Sequence, residues 1–104
     1  MEKIEKYEEI IFENIKHVDE NGVEYWEARE LMSLLEYKKW ENFYKAINKA
    51  IIAWKTSNNR VDDHFSKVGK TIKMPKGASK LVDDYKLSRY ACYLIVQKSN
   101  NYYR

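Results

Sequence analysis

Lys67, Lys70, Lys73, Lys76 and Lys80 fall between Ser66 and Val82 without one carboxylate among them. Ammonium groups at that density, with no acid nearby in sequence to pair them, suit a polyanion, and a phosphate backbone is the first candidate. A second set stands upstream. Lys38, Asn42, Lys45 and Lys49 recur at i, i+4, i+7 and i+11, which puts them on one side of an α-helix, and Lys39 adds a cation at its start. Lysines on phosphates give affinity that falls with salt, whereas the Asn42 amide can pair bidentately with an adenine edge. The plainer readings are that the lysine run is a solvated hairpin and Asn42 an ordinary exposed polar residue.

Other residue types offer less. Asp63 and the Asp84-Tyr85-Lys86 triplet match the carboxylate and D-x-K pattern of metal-dependent nucleases, in which acids hold a divalent ion and lysine assists a water. That pattern is short and common by chance, and no glutamate or histidine stands near the Asp84-Tyr85-Lys86 triplet, so both aspartates read as hairpin-end and capping residues. The single cysteine, Cys92, cannot form an internal disulfide, and His17 and His64 are too far apart for a metal-ligand spacing. No phosphate loop or nucleophile elbow is present, so a non-catalytic protein without metal or cofactor is expected. Arg29 suits a phosphate or a surface pairing with Glu24 or Glu27 equally well.

The charge is divided along the chain. Residues 1–36 hold eleven acids and four bases, and residues 37–104 hold fifteen bases and five acids, so a formal net charge of +3 conceals about −7 followed by +10. With 104 residues, 44% hydrophobic content, three tryptophans and nine tyrosines, the chain can build one domain around one modest core. The polar N-terminus is unlike a signal peptide, and the apolar run Tyr90 to Val96 is far too short to span a bilayer, so a cytoplasmic protein with no membrane partner is expected.

The elements that must position these side chains follow from periodicity. Ile4, Tyr7, Ile11 and Ile15 make residues 1–16 an acidic amphipathic helix, and Asn21-Gly22 between short alternating runs makes 17–26 a hairpin. Residues 27–56 read as two helices joined by a very short turn near Glu36-Tyr37. Ala28, Leu31, Leu34 and Leu35 are buried on the first; Trp40, Phe43, Tyr44, Ile47, Ile51 and Trp54 form the apolar stripe of the second. Residues 66–87 read as a basic hairpin turning at Pro75-Lys76-Gly77. Val68, Ile72 and Met74 are assigned to its inner side, and Leu81, Tyr85 and Leu87 return on that same side. Ser88 caps a last helix over 88–99 that is apolar all round, which needs either a central place in the core or a second copy, giving a homodimer.

The fold class expected is therefore α+β, a small single domain with a helix-turn-helix-like helix pair, a basic β-hairpin as a wing, and a buried C-terminal helix. In that layout the second helix enters a major groove and the wing reaches the neighbouring backbone, so double-stranded DNA is the expected partner. Lys38, Lys39, Lys45, Lys49, Lys67, Lys70, Lys73 and Lys76 are the expected phosphate contacts and Asn42 the base reader. Trp40 and Trp54 suit stacking on single strands, but their place on the apolar stripe favours burial. The alternative class is a protein-interaction module regulating DNA-repair proteins, in which the acidic segment docks on a basic partner or covers the chain's own basic face.

Longer strings carry a resemblance. Tyr25-Trp26-Glu27-Ala28-Arg29-Glu30-Leu31, Leu34-Leu35-Glu36-Tyr37, Trp40-Glu41-Asn42-Phe43, Asp63-His64-Phe65 and above all Tyr85 through Gln97 resemble the N-terminal region of the DNA-damage-inducible protein D family. That family in turn resembles the wider Bro-N group of phage and viral domains, and the likeness runs from about residue 18 to residue 98. It implies a Bro-N-like domain that binds DNA in the bacterial DNA-damage (SOS) response. Relatives commonly carry glycine where this chain has Glu36; if that turn is left-handed, glutamate there costs about 1–2 kcal/mol. The family continues past the last string into an aspartate-proline segment and further helices, so the resemblance also implies that its C-terminal region is lacking here.

Overall fold

A computed structural model of the chain describes residues 12–57 and 60–99. Strands β1 (His17–Val18) and β2 (Glu24–Glu27) lead into helices α1 (Ala28–Leu34) and α2 (Trp40–Thr56). Strands β3 (Phe65–Lys73) and β4 (Ser79–Leu87) follow, joined through a 3₁₀ turn at Pro75–Gly77, and α3 (Arg89–Lys98) closes the order. The four strands form one antiparallel sheet in the order β1-β2-β4-β3, and the fold is α+β. Of the expected acidic helix, residues 1–11 lie outside the described residues. Residues 12–15 are helical.

The first hairpin forms where the Asn-Gly signal placed it. Gly22 takes φ 81°, and the Asp19 carboxylate accepts from the backbone N–H of Asn21 and Val23 at 2.8 and 3.0 Å. β2 runs on into the sheet, pairing Trp26 with Leu87 and Glu27 with Lys86. Trp26 is wholly buried, and its indole N–H donates to the Phe12 carbonyl at 2.8 Å. Residues 12–15 are thereby tied to the core.

The turn between α1 and α2 is a Schellman motif. Glu36 N–H donates to Ser33 O and Tyr37 N–H to Met32 O, both at 3.1 Å. Glu36 occupies the position that glycine usually takes, at φ 64°. The turn is left-handed, and glutamate holds it at a cost of about 1–2 kcal/mol.

In α2 the core face is Phe43, Ala46, Ile47 and Ala50. The sequence stripe is thus rotated: Trp40, Ile51 and Trp54 flank the core half-buried, and Tyr44 is exposed. In α1, Ala28 and Leu31 are buried as expected, whereas Leu34 is exposed because the helix ends there and the chain turns away. α3 is central. Its Ala91, Cys92, Ile95 and Val96 are buried against the rest of the chain, Tyr93 and Leu94 are half-buried, and Tyr90 is exposed. Burial pushes the Cys92 thiol up, leaving an inert apolar side chain.

The ribbon of β3 and β4 departs from the expected facing. Its register pairs Phe65 with Leu87, Lys67 with Tyr85, Thr71 with Leu81 and Lys73 with Ser79, and these residues share one face. Val68, Lys70 and Ile72 pair with Asp84, Val82 and Lys80 on the other face. Val68 and Ile72 therefore lie opposite to Leu81, Tyr85 and Leu87, not beside them. Near the sheet the first face packs into the core through Phe65, Tyr85 and Leu87; farther out both faces meet solvent, so the strict rule of one buried side does not hold.

Candidate nucleic-acid interface

The base of the ribbon is locked to α1 by a buried carboxylate. Asp84 is 1% exposed, and its Oδ1 accepts from the N–H of Arg29 at 3.0 Å and of Tyr85 at 2.8 Å. Arg29 stands in the first turn of α1, whose preceding residue, Glu27, offers no side-chain cap, so the cap comes from the neighbouring strand. Burial pushes the Asp84 carboxyl above its ordinary value against the pull of those two N–H groups. The Arg29 guanidinium lies 4.3 Å from the Trp40 ring centroid and donates to the Asp83 carbonyl at 2.7 Å. Neither Glu24 nor Glu27 pairs with it. Arg29 ties α1, α2 and β4 together.

Lys70 belongs to the same base. Its Nζ donates to Glu27 Oε1 at 2.6 Å, with both side chains mostly covered. The pair raises the lysine pKa; burial alone would raise Glu27, but Lys70 and its neighbours hold that carboxyl below its ordinary value. The Glu30 carboxylate next to it accepts from His17 Nε2–H, and the His17 ring stacks on Tyr25. Of the ribbon lysines, Lys70 is the one whose charge is already matched.

The others point outward. Lys67, Lys73, Lys76 and Lys80 are exposed, and among the described residues none of them forms an ion pair. Lys67 and Lys73 share the ribbon face with Tyr85, which lies against Tyr44 of α2. Burial first, then the neighbouring Tyr44 hydroxyl, push the Tyr85 hydroxyl up to about 12. That contact turns this face toward α2. Lys80 was left out of the expected contacts although its alternation and lack of nearby acids were visible in the sequence.

On α2 and its approach, Lys38, Lys39, Asn42, Lys45 and Lys49 are all exposed. Lys38 and Lys39 precede the helix, and Asn42 lies in its first turn. At about 100° per residue, Lys45 falls near the middle of the solvent face, while Asn42 and Lys49 fall about 160° and 140° around from Tyr44. They occupy the flank away from the ribbon. Glu41 interrupts the basic surface in the first turn.

No nuclease-like cluster is assembled from the pattern in the sequence. Asp84 spends its carboxylate on two backbone N–H groups, Asp63 is exposed and pairs with Arg60 at 3.7 Å, and Lys86 lies over the Tyr25 ring. Among the described residues, the group of three metal-ligand types whose donor atoms converge is His17, Glu27 and Glu30. Glu27 is held by Lys70 and Glu30 by His17, so this set reads as an ion-pair network.

Residues 14–103 match the BRO family, N-terminal domain (Bro-N). The chain belongs to this family. It is 39% identical over 89 residues to DNA damage-inducible protein D of Escherichia coli (strain K12), covering 86% of this chain and 32% of that protein. This Bro-N chain thus spans about a third of the length of the curated relative it matches. No solved structure matches it.

The Bro-N strings that carried the resemblance are mostly framework. Ser88 caps α3, its Oγ accepting from Ala91 N–H at 3.1 Å and bonding His64 Nδ1 at 2.6 Å. His64 packs edge-on to Trp54, whose indole N–H donates to the Arg60 carbonyl at 3.0 Å. Arg89 meets both Glu24 oxygens at 3.0 Å and Glu13 at 3.2 Å, which raises its pKa and offsets a cation at a helix N-terminus. No helix of the described residues is long and apolar enough to cross a membrane.

Proposed function

We propose that this Bro-N domain binds double-stranded DNA without catalysis, using the ribbon of β3 and β4 as a wing and the start of α2 as its companion surface. The observation that carries this reading is the run of exposed lysines on a projecting ribbon free of carboxylates from Ser66 to Val82, with Lys67 and Lys73 on the face turned toward α2. A polyanion following that surface meets Lys67, Lys73 and Lys76 on the wing and Lys38, Lys39 and Lys45 at the start of α2; it reaches Lys80 on the other ribbon face, and Lys49 with Asn42 on the far flank of α2, by wrapping round the domain. Asn42 is the proposed base reader. Lys70 is reassigned: it anchors the wing to Glu27. α1 and α2, joined by the Schellman turn, serve as the helix-turn-helix-like pair. The name of the E. coli relative supports a setting in the DNA-damage response, with the bacterial cytoplasm as compartment. A homodimer through α3 is not part of the proposal, because Ala91, Cys92, Ile95 and Val96 of that helix pack in the chain's own core.

The test is fluorescence anisotropy of a labelled duplex over a salt series, with Lys67→Gln/Lys73→Gln/Lys76→Gln beside the wild type. Removing three phosphate contacts lowers the log–log salt slope by about 3. Absence of binding at low salt would leave a protein-interaction module as the better reading.

A further inference from the structure

The outer end of the wing is built unlike the rest of it. Met74 and Pro75 lead the tip, both exposed, between Lys73 and Lys76. The tip is closed by Met74 N–H donating to Ala78 O at 2.9 Å, and Lys76 and Gly77 stand one after the other in the left-handed region at φ 66° and 77°. Proline fixes its own φ. Two apolar side chains are thus presented at the end of a ribbon on a turn with little freedom left, and a lysine in a backbone region that disfavours it keeps the cation beside them.

We propose, resting on the DNA-binding reading above, that this tip is a minor-groove wedge. Met74 and Pro75 enter between adjacent base pairs, Lys73 and Lys76 hold the flanking phosphates, and the duplex bends. Methionine and proline are among the side chains that unstack base steps from the minor groove, and the unstacking is offset by contacts the bent duplex makes with the protein surface. Pyrimidine–purine steps such as TA, which open most readily, are the preferred sites. An exposed apolar residue elsewhere on the wing provides the contrast: Leu81 is 72% exposed but lies on the ribbon face opposite Thr71, away from the tip.

The experiment uses the whole chain and a duplex of about 30 base pairs with a central TA step, a donor and an acceptor at its ends, and anisotropy on the same samples. Binding of the wild type raises energy transfer between the ends. Met74→Ser/Pro75→Ser keeps affinity within about threefold and an unchanged salt slope but returns the transfer to that of free duplex, while Leu81→Ser bends as the wild type does. Binding without a rise in transfer, or a double variant that bends fully, overturns the wedge and leaves DNA binding standing. A chain that does not bind the duplex at low salt overturns both readings.

Discussion

Replacing Glu36 by glycine stabilises the domain. Glu36 stands at φ 64° in the turn that sets α2 against α1, and it is exposed, so no packing is lost when its side chain goes. The left-handed backbone costs an L-residue about 1–2 kcal/mol, and glycine removes that strain. Glycine also adds freedom to the unfolded chain, which takes back about 0.4–1 kcal/mol. The net gain is about 0.8 kcal/mol at the centre of a range of about 0 to 1.6, or a rise of about 3–6 °C in Tm at that centre for a domain of this size. Thermal and urea unfolding followed by circular dichroism at neutral pH measure it, with Glu36→Ala as the control that trims the side chain and keeps the strain. A Glu36→Gly variant that melts lower than the wild type, or no higher than Glu36→Ala, would refute the strained Schellman turn.

Asp84 and the wing lysines carry further outcomes. Asp84→Ala leaves the Arg29 and Tyr85 N–H groups buried without a partner and costs about 2–4 kcal/mol, read by urea unfolding. Asp84→Asn keeps an acceptor and is nearly neutral at pH 7. Because burial raises the Asp84 pKa in the folded state, its protonated form favours folding below the ordinary value of 3.8, and that contribution is lost as pH rises through the folded value. The asparagine variant lacks this fall, and an identical pH–stability profile in both proteins would count against the buried acid. Lys70→Gln lowers stability, and Tm with it, through the lost Glu27 pair, by about 1 kcal/mol or less after solvent screening, and barely changes the salt slope of DNA binding. Lys67→Gln does the reverse, lowering the slope by about 1 at unchanged Tm. Supercoiled plasmid incubated with magnesium stays intact, and nicking that Asp84→Asn abolishes would restore the nuclease reading.

Local patterns in the sequence located most elements. Asn21-Gly22 needs a hairpin turn, the period of 3.6 over residues 40–56 needs a helix, and Ser88 before an apolar run needs a cap; each forms from its near neighbours. What the sequence hid depends on pairings distant along the chain. The facing of the ribbon follows from a register that sets Thr71 opposite Leu81, and a reading that gave Val68 and Leu81 one common face had no way to see that pairing. A parity count along β3 did contain a warning, since Lys70 shares its face with Val68 and Ile72. Asp84 read as a hairpin-end or capping residue, but its burial and the end it caps stayed hidden, because its partner Arg29 N–H comes from a helix far upstream. Arg29 pairs with neither Glu24 nor Glu27, because Trp40 and the Asp83 carbonyl offer a stacked, hydrogen-bonded seat. The idea that residues 1–16 shield the basic face concerns mainly residues outside those described. Its deletion test must spare Phe12, which is buried in the core and accepts the Trp26 bond.

The most direct test of the central claim is to map the amide shifts of the isotopically labelled chain by NMR as a short duplex is titrated in. The account predicts shifts concentrated on Lys67, Lys73, Lys76 and Lys80 and on residues 38–49, weakening together as salt is raised, with the buried face of α3 unmoved. Shifts confined to other surfaces, or none at low salt, would contradict it.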